Sequence, residues 1–200
     1  MEVKSLENSK KEDEEALKLA THIEKLYILL KNEQPKIEIR KSYLLSYGIL
    51  FAPWSIAVYE CLFKKFIIYK NNLHKFLENE EDKDAAILGI AVHEVVHAFP
   101  KTSLFFPGDI KIAKGIVYEA MKIVNSTSKY KGLRKLDYEE RMEYDAKVKE
   151  YIARILYTKL RNNLEEDEIL KIIAEKVINK NCEELLNEDF ENIFKIFLRE

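Results

Sequence analysis

Residues that staple or interrupt a fold are scarce in this chain: 200 residues include two cysteines, four prolines, five glycines and one tryptophan. Cys61 and Cys182 lie far apart, without the paired spacing of a zinc ribbon or a dithiol redox motif. Both are read as reduced structural thiols in apolar or helical surroundings. An excess of one charge is missing too, since 33 Lys and Arg face 35 Asp and Glu for a net charge of −2. That balance gives no global attraction to nucleic acid. The one basic stretch, 122–135 with Lys129, Lys131 and Arg134, reads as a solvated connection. No uncharged apolar run approaches the roughly 18 residues of a membrane span, and the longest candidate, 43–63, is broken by Pro53 and Glu60. The opening Met1-Glu2-Val3-Lys4 and the charged residues after it hold no apolar signal core, so a cytoplasmic protein is expected.

What is present is apolar material in quantity. Hydrophobic residues make up 47% and charged residues 34%, which describes an ordered chain with a heavily ionised surface. The length favours one domain over 1–200: an N-terminal helical part (1–35), a core (36–160) and C-terminal helices (161–200). No internal repeat is visible.

Along the chain, 1–13 is polar and expected to fray, after which Ala16, Leu19, Ala20, Ile23, Leu26, Tyr27 and Leu30 recur at helical spacing over about 13–32. Asn32 to Pro35 ends that helix, because a residue before proline is pushed out of the helical region. Ile37 and Ile39 then alternate with Glu38 and Arg40, the period of a half-buried strand. Apolar runs at 49–52, 56–59 and 66–69 read as further strands of a small, mostly antiparallel sheet. A short amphipathic piece at 73–77 leads to a buried helix capped by Asp84 and stopped by Pro100. Helices are expected again near 110–125, 138–161, 167–178 and 183–198, so the fold class is α+β with α-rich ends.

The chemistry lies in the buried helix, which carries the run His93-Glu94-Val95-Val96-His97. Residues i and i+4 sit one turn apart on one face, so both imidazoles can address a single ion, expected to be Zn2+. Glu94 projects beside that ion, where a carboxylate can take a proton from water. A polar triplet inside an apolar helix is costly without a purpose.

The run Ala91-Val92-His93-Glu94-Val95-Val96-His97-Ala98-Phe99 resembles the active-site helix of the zincin metallopeptidases. Strands before the motif and an acidic helix after it are similar to gluzincins, including compact soluble minigluzincins and the ImmA/IrrE-type proteins. The resemblance covers about 36–160. It implies a zincin-like α+β fold in which the sheet packs on the HExxH helix, and a zinc metallopeptidase activity with Glu94 as general base. Metzincins place a third His soon after the motif. Here Ala98-Phe99-Pro100-Lys101 follows and no later His exists, so the third ligand is expected to be a carboxylate. In gluzincins the ligand helix commonly reads Glu-x-x-Ala-Asp, the Asp holding a ligand His. Glu143-Tyr144-Asp145-Ala146-Lys147 matches the Glu and the Ala and departs at Lys147, leaving the His without its expected partner unless another acid, such as Asp145, supplies it. Met142, Ala146, Ile152, Ala153 and Leu156 place Asp145 nearer the centre of the buried face than Glu143. Glu143 and Asp145 are therefore both candidate ligands, with Glu139 and Glu140 behind them; Asp137-x-x-Glu140 also fits a capping box.

His22 and His74 have no metal spacing and read as ordinary core or surface residues. Trp54, Tyr59, Phe66 and Tyr69 read as core, and Tyr138 and Tyr144 are possible oxyanion donors. The strand at 66–69 is where an extended substrate would add a strand. The expected partner is a peptide or protein substrate; nothing in the sequence sets the oligomeric state. A metal-retaining module without turnover is the alternative.

Overall fold

The computed structural model describes residues 2–42, 55–99, 138–180 and 185. The expected strand at 49–52, the helices near 110–125 and 183–198, the basic stretch, Trp54 and Cys182 lie outside the described residues. Five α-helices and three strands are described: α1 (Glu2–Lys31), β1 (Lys36–Arg40), β2 (Ala57–Glu60), β3 (Lys65–Tyr69), α2 (Lys70–Leu77), α3 (Lys83–Ala98), α4 (Tyr138–Leu160) and α5 (Glu166–Ile173). A π-helical turn, Ala174–Ile178, continues α5. The chain is α+β and mostly helical, with a small sheet.

Helix α1 starts well before the expected position near residue 13. Charged residues of good helix propensity, with opposite charges four apart at Lys10 and Glu14 and again at Glu14 and Lys18, let it extend beyond its packed part. Ala16, Leu19, Ile23 and Leu26 form its buried stripe. Asn32, at φ 56°, supplies the left-handed residue that closes it, and its N–H donates to the Ile28 carbonyl at 2.7 Å.

The sheet order is β1-β3-β2, with β1 parallel and β2 antiparallel to β3. The expectation of a mostly antiparallel sheet thus fails for the β1–β3 pair among the described strands. A parallel neighbour needs a long crossover, and alternation within one strand carries no record of it. Central β3 buries Phe66, Ile67, Ile68 and Tyr69.

Helix α3 is buried on every side from Ala85 to Val96, as a helix apolar all round must be. Its cap is Asp82 rather than Asp84: the Ala85 N–H donates to Asp82 Oδ1 at 3.2 Å, while Asp84 pairs with Lys18 at the surface. Asp82 also accepts from Arg161 at 2.8 Å and Thr158 at 3.2 Å, tying the start of α3 to the end of α4. The two helices therefore run antiparallel. At Gly89 an added Cβ would lie 2.6 Å from Arg154 Cγ and 3.2 Å from Glu150 Cγ, so the missing side chain is what allows α4 this close.

His22 is buried between α1 and α5, its Nε2 3.3 Å from Glu166 Oε1 but in a geometry too poor for a hydrogen bond. Burial lowers its pKa, and Lys18 and Lys25 act in the same direction against Glu166. A depressed imidazole pKa means the unfolded chain binds the extra proton, so the stability it confers is present above the ordinary value of about 6.5 and is lost as pH falls below it. Denaturant titrations of the wild type between pH 8 and 5 should show that loss, at up to about 1.4 kcal/mol per pH unit. In His22→Phe the same titration should be flatter; an unchanged slope would refute the assignment.

Candidate metal and acid-base site

Helices α3 and α4 bring three donors to one point. Near the end of α3, His93 and His97 stand one turn apart with their Nε2 atoms 3.1 Å from each other. From the first turns of α4, Glu143 places Oε1 3.5 Å from His93 Nε2 and Oε2 3.3 Å from His97 Nε2. These three residues form the one group among the described residues in which ligand atoms all lie within 4.8 Å of one another. Zinc ligands at 2.0–2.1 Å in a tetrahedron stand about 3.3–3.4 Å apart; the two Nε2 atoms are 3.1 Å apart, and each ring faces a different oxygen of Glu143. The donor set therefore fits a small divalent cation in size and in chemistry, two imidazoles and a carboxylate.

His93 is fixed from behind. Its Nδ1 lies 3.1 Å from Glu150 Oε2, and since a carboxylate can only accept, Nδ1 carries a proton and Nε2 is the ring nitrogen turned to the centre. Lys147 Nζ reaches the same Glu150 oxygen at 2.8 Å. Burial opposes charge on His93, but the Glu143 and Glu150 carboxylates that accept from its ring override it and raise its pKa to about 10, so that a bound cation would take the place of the Nε2 proton. Against their own burial, His93 and His97 push the Glu143 carboxyl far below the usual range, and His93 brings that of Glu150 to about 2. Two fixed carboxylates thus demand positive charge at the point where the rings converge.

Glu94 is buried beside the rings in the same cleft, and burial pushes its pKa up, opposed by His93 and His97. The backbone N–H of Tyr59 in β2 also acts against burial and favours its charged form. The strand register explains why that N–H is available. Tyr69 N–H donates to the Ile56 carbonyl at 2.9 Å, so in the antiparallel alternation Ala57 and Tyr59 turn their N–H and C=O away from β3. These groups edge a cleft of about 580 Å³ whose walls include His93, Glu94, His97, Glu143, Lys147 and Glu150.

Four expectations change here. Asp145, the other candidate ligand, is fully buried but faces away from the histidines: Lys149 Nζ donates to it at 2.9 Å and lies 3.4 Å from the Ile178 carbonyl of the π-helical turn. Its place near the centre of the buried face reflects burial against that turn and not against α3. The strand at 66–69 cannot accept a substrate strand, because β3 is the central strand with both edges paired. Cys61 is exposed at the cleft rim, outside any apolar core. Tyr59 borders the cleft, whereas Phe66 and Tyr69 are core as expected. Tyr144 is fully buried, His74 Nδ1 pairs with Glu15 Oε2 at 2.8 Å, and nothing is described of the side chains of Tyr138, Glu139 and Glu140.

Glu150 was missed in the sequence. The available signal was its position seven residues after Glu143, two turns along the same face of α4.

Breaking the buried Asp145–Lys149 pair from one side leaves an uncompensated charge. Asp145→Ala should cost about 3–5 kcal/mol in denaturant unfolding, and Lys149→Met in the same chain should recover most of it. A neutral single mutant would show that the pair does not fasten α4 to the π-helical turn.

No family model, no curated protein and no solved structure matches the chain, and the capabilities of the site are those of its own atoms.

Proposed function

We propose that the chain is a zinc-dependent, zincin-like metallopeptidase of gluzincin type, with His93, His97 and Glu143 holding the ion and Glu94 acting as general base. The observation that carries this reading is the convergence of the two Nε2 atoms and the Glu143 carboxylate within 4.8 Å of one another, with a second, buried carboxylate beside them. When bound, zinc would supply Lewis acidity, polarising a carbonyl and lowering the pKa of water.

The protein's own groups account for the rest. Glu150 holds the His93 ring by Nδ1, which fixes both tautomer and orientation. An extended peptide can pair with the outward-facing groups of Ala57 and the Tyr59 carbonyl on the edge of β2 that no described strand occupies, which would lay its scissile bond beside Glu94. Glu94 takes a proton from the attacking water as its oxygen bonds to the scissile carbon, and returns it to the amine nitrogen as the C–N bond breaks. Burial holds the Glu94 pKa above its ordinary value, which suits a group that must accept a proton and then release it. A peptide or protein substrate follows from this reading. No helix among the described residues is long and apolar enough to cross a membrane.

Glu94→Gln should keep stoichiometric zinc by metal analysis while lowering peptide cleavage by about 10²–10⁴-fold, the usual contribution of a positioned base. His97→Ala and Glu143→Ala should lose both metal and turnover. Stoichiometric zinc with no Glu94-dependent product would replace the peptidase by a metal-retaining module, and zinc content untouched by His97→Ala would end the metal reading itself.

A further inference from the structure

Resting on the peptidase reading, we propose that Lys147 selects the substrate by binding a peptide carboxylate one to two residues from the scissile bond. Lys147 is the sole lysine or arginine among the described residues that line the cleft, where Glu94, Glu143 and Glu150 supply three carboxylates. Three anions beside a divalent cation and one ammonium leave the cleft close to neutral. An anionic substrate group is therefore not repelled from it, and Lys147 is the place where such a group is attracted.

The ammonium is accessible and incompletely used. Its side chain is 35% exposed, and of its three donors one goes to Glu150 Oε2 at 2.8 Å. Lys147 stands four residues after Glu143 on α4, which is about 6 Å along the helix axis at 1.5 Å per residue. An extended peptide advances about 3.3–3.6 Å per residue, so a peptide lying along α4 would cover that offset in one or two residues. Two sources can put a carboxylate there: the free C-terminus of a short peptide, or an Asp or Glu side chain inside a longer one.

Matched peptides separate these sources. With zinc-loaded protein, kcat/KM is compared between free-acid and amidated C-termini, and between Asp and Asn or Glu and Gln at the two positions on each side of the cleaved bond. One of the two pairs should favour the carboxylate by about 10-fold, mainly through KM, and which pair does so identifies the source. Because both members are measured on one protein, a general loss of activity cancels in the ratio. Lys147→Met should bring the ratio to about 1, Lys147→Glu should invert it towards peptides bearing Lys, and Lys147→Arg should retain it. A ratio that is the same in wild type and Lys147→Met overturns the proposal, as does a Lys147→Met that slows both members equally, the result expected if the lysine serves Glu150 alone.

The same pairs are also titrated onto zinc-loaded Glu94→Gln by fluorescence anisotropy, where the carboxylate member should bind about 10-fold more tightly. Cleavage or binding without a carboxylate preference defeats the Lys147 proposal and leaves the peptidase standing. Zinc-loaded protein that neither cleaves nor binds any of the peptides defeats both.

Discussion

The close antiparallel approach of α3 and α4 at Gly89 is the constraint on which the site depends. A helix residue with a Cβ at that point would meet the Arg154 chain and press on Glu150. Glycine inside a helix costs about 1 kcal/mol relative to alanine, and here it is surrounded by buried apolar residues that offset the cost. What the close approach gains is reach. Glutamate side chains on α4 are short, and Glu143 and Glu150 meet imidazole nitrogens at 3.1–3.5 Å because the axes are this near. The direction of the helices decides the pairings. As α4 advances from Glu143 to Glu150 to Arg154 it passes back along α3 from His97 to His93 to Gly89. The anchor at Asp82, shared with Thr158 and Arg161, holds the far end of the pair in register.

That packing also explains how so many polar groups sit in an apolar wall. His93, Glu94 and Glu150 are all buried, and an unsatisfied polar group in such surroundings costs roughly 1–3 kcal/mol. Two of them are partnered directly, His93 by Glu143 and Glu150 and Glu150 by Lys147, while the outward N–H of Tyr59 favours the charged form of Glu94. Because β2 lies at the edge of the sheet among the described strands, in antiparallel register, its alternate residues turn backbone donors and acceptors away from β3, beside the cleft that Ala57, Tyr59 and Glu94 line. Sheet, α3 and α4 therefore meet at this cleft.

Much of this was legible in the sequence, and its limits follow from what periodicity records. The i, i+4 spacing of His93 and His97 is a property of one helix, so their convergence could be read without a structure. The same holds for the stripe on α1 and the strand alternation at Ile37 and Ile39. Pairing between elements leaves no such trace. The parallel β1–β3 partnership, the central position of β3 and the exposure of Cys61 are set by tertiary placement. Asp82 and Asp84 are both chemically able to cap α3, and two residues' difference in the helix start decides between them. At Asp145 the helical-wheel reasoning met a different limit. It located the buried side of α4 correctly, but that side faces two neighbours, α3 and the π-helical turn, and Asp145 belongs to the second.

The position of the acid behind His93 bears on how Lys147 is read. In the sequence pattern that 143–147 resembles, the acid stands four residues after the glutamate, where this chain has lysine. A carboxylate three residues further, at Glu150, lies on the same face and one turn nearer the Gly89 crossing, where it reaches Nδ1 of His93. The lysine then bonds the same Glu150 oxygen that His93 uses. Two donors on one oxygen hold the carboxylate more firmly than one, and the ammonium offsets its charge in a wall that already contains Glu94 and Glu143. A lysine at 147 is thus compatible with an oriented histidine, provided the acid has moved one turn along the helix. With Glu150 in place, the departure at Lys147 becomes a rearrangement of the same support, and it leaves a cation facing the cleft.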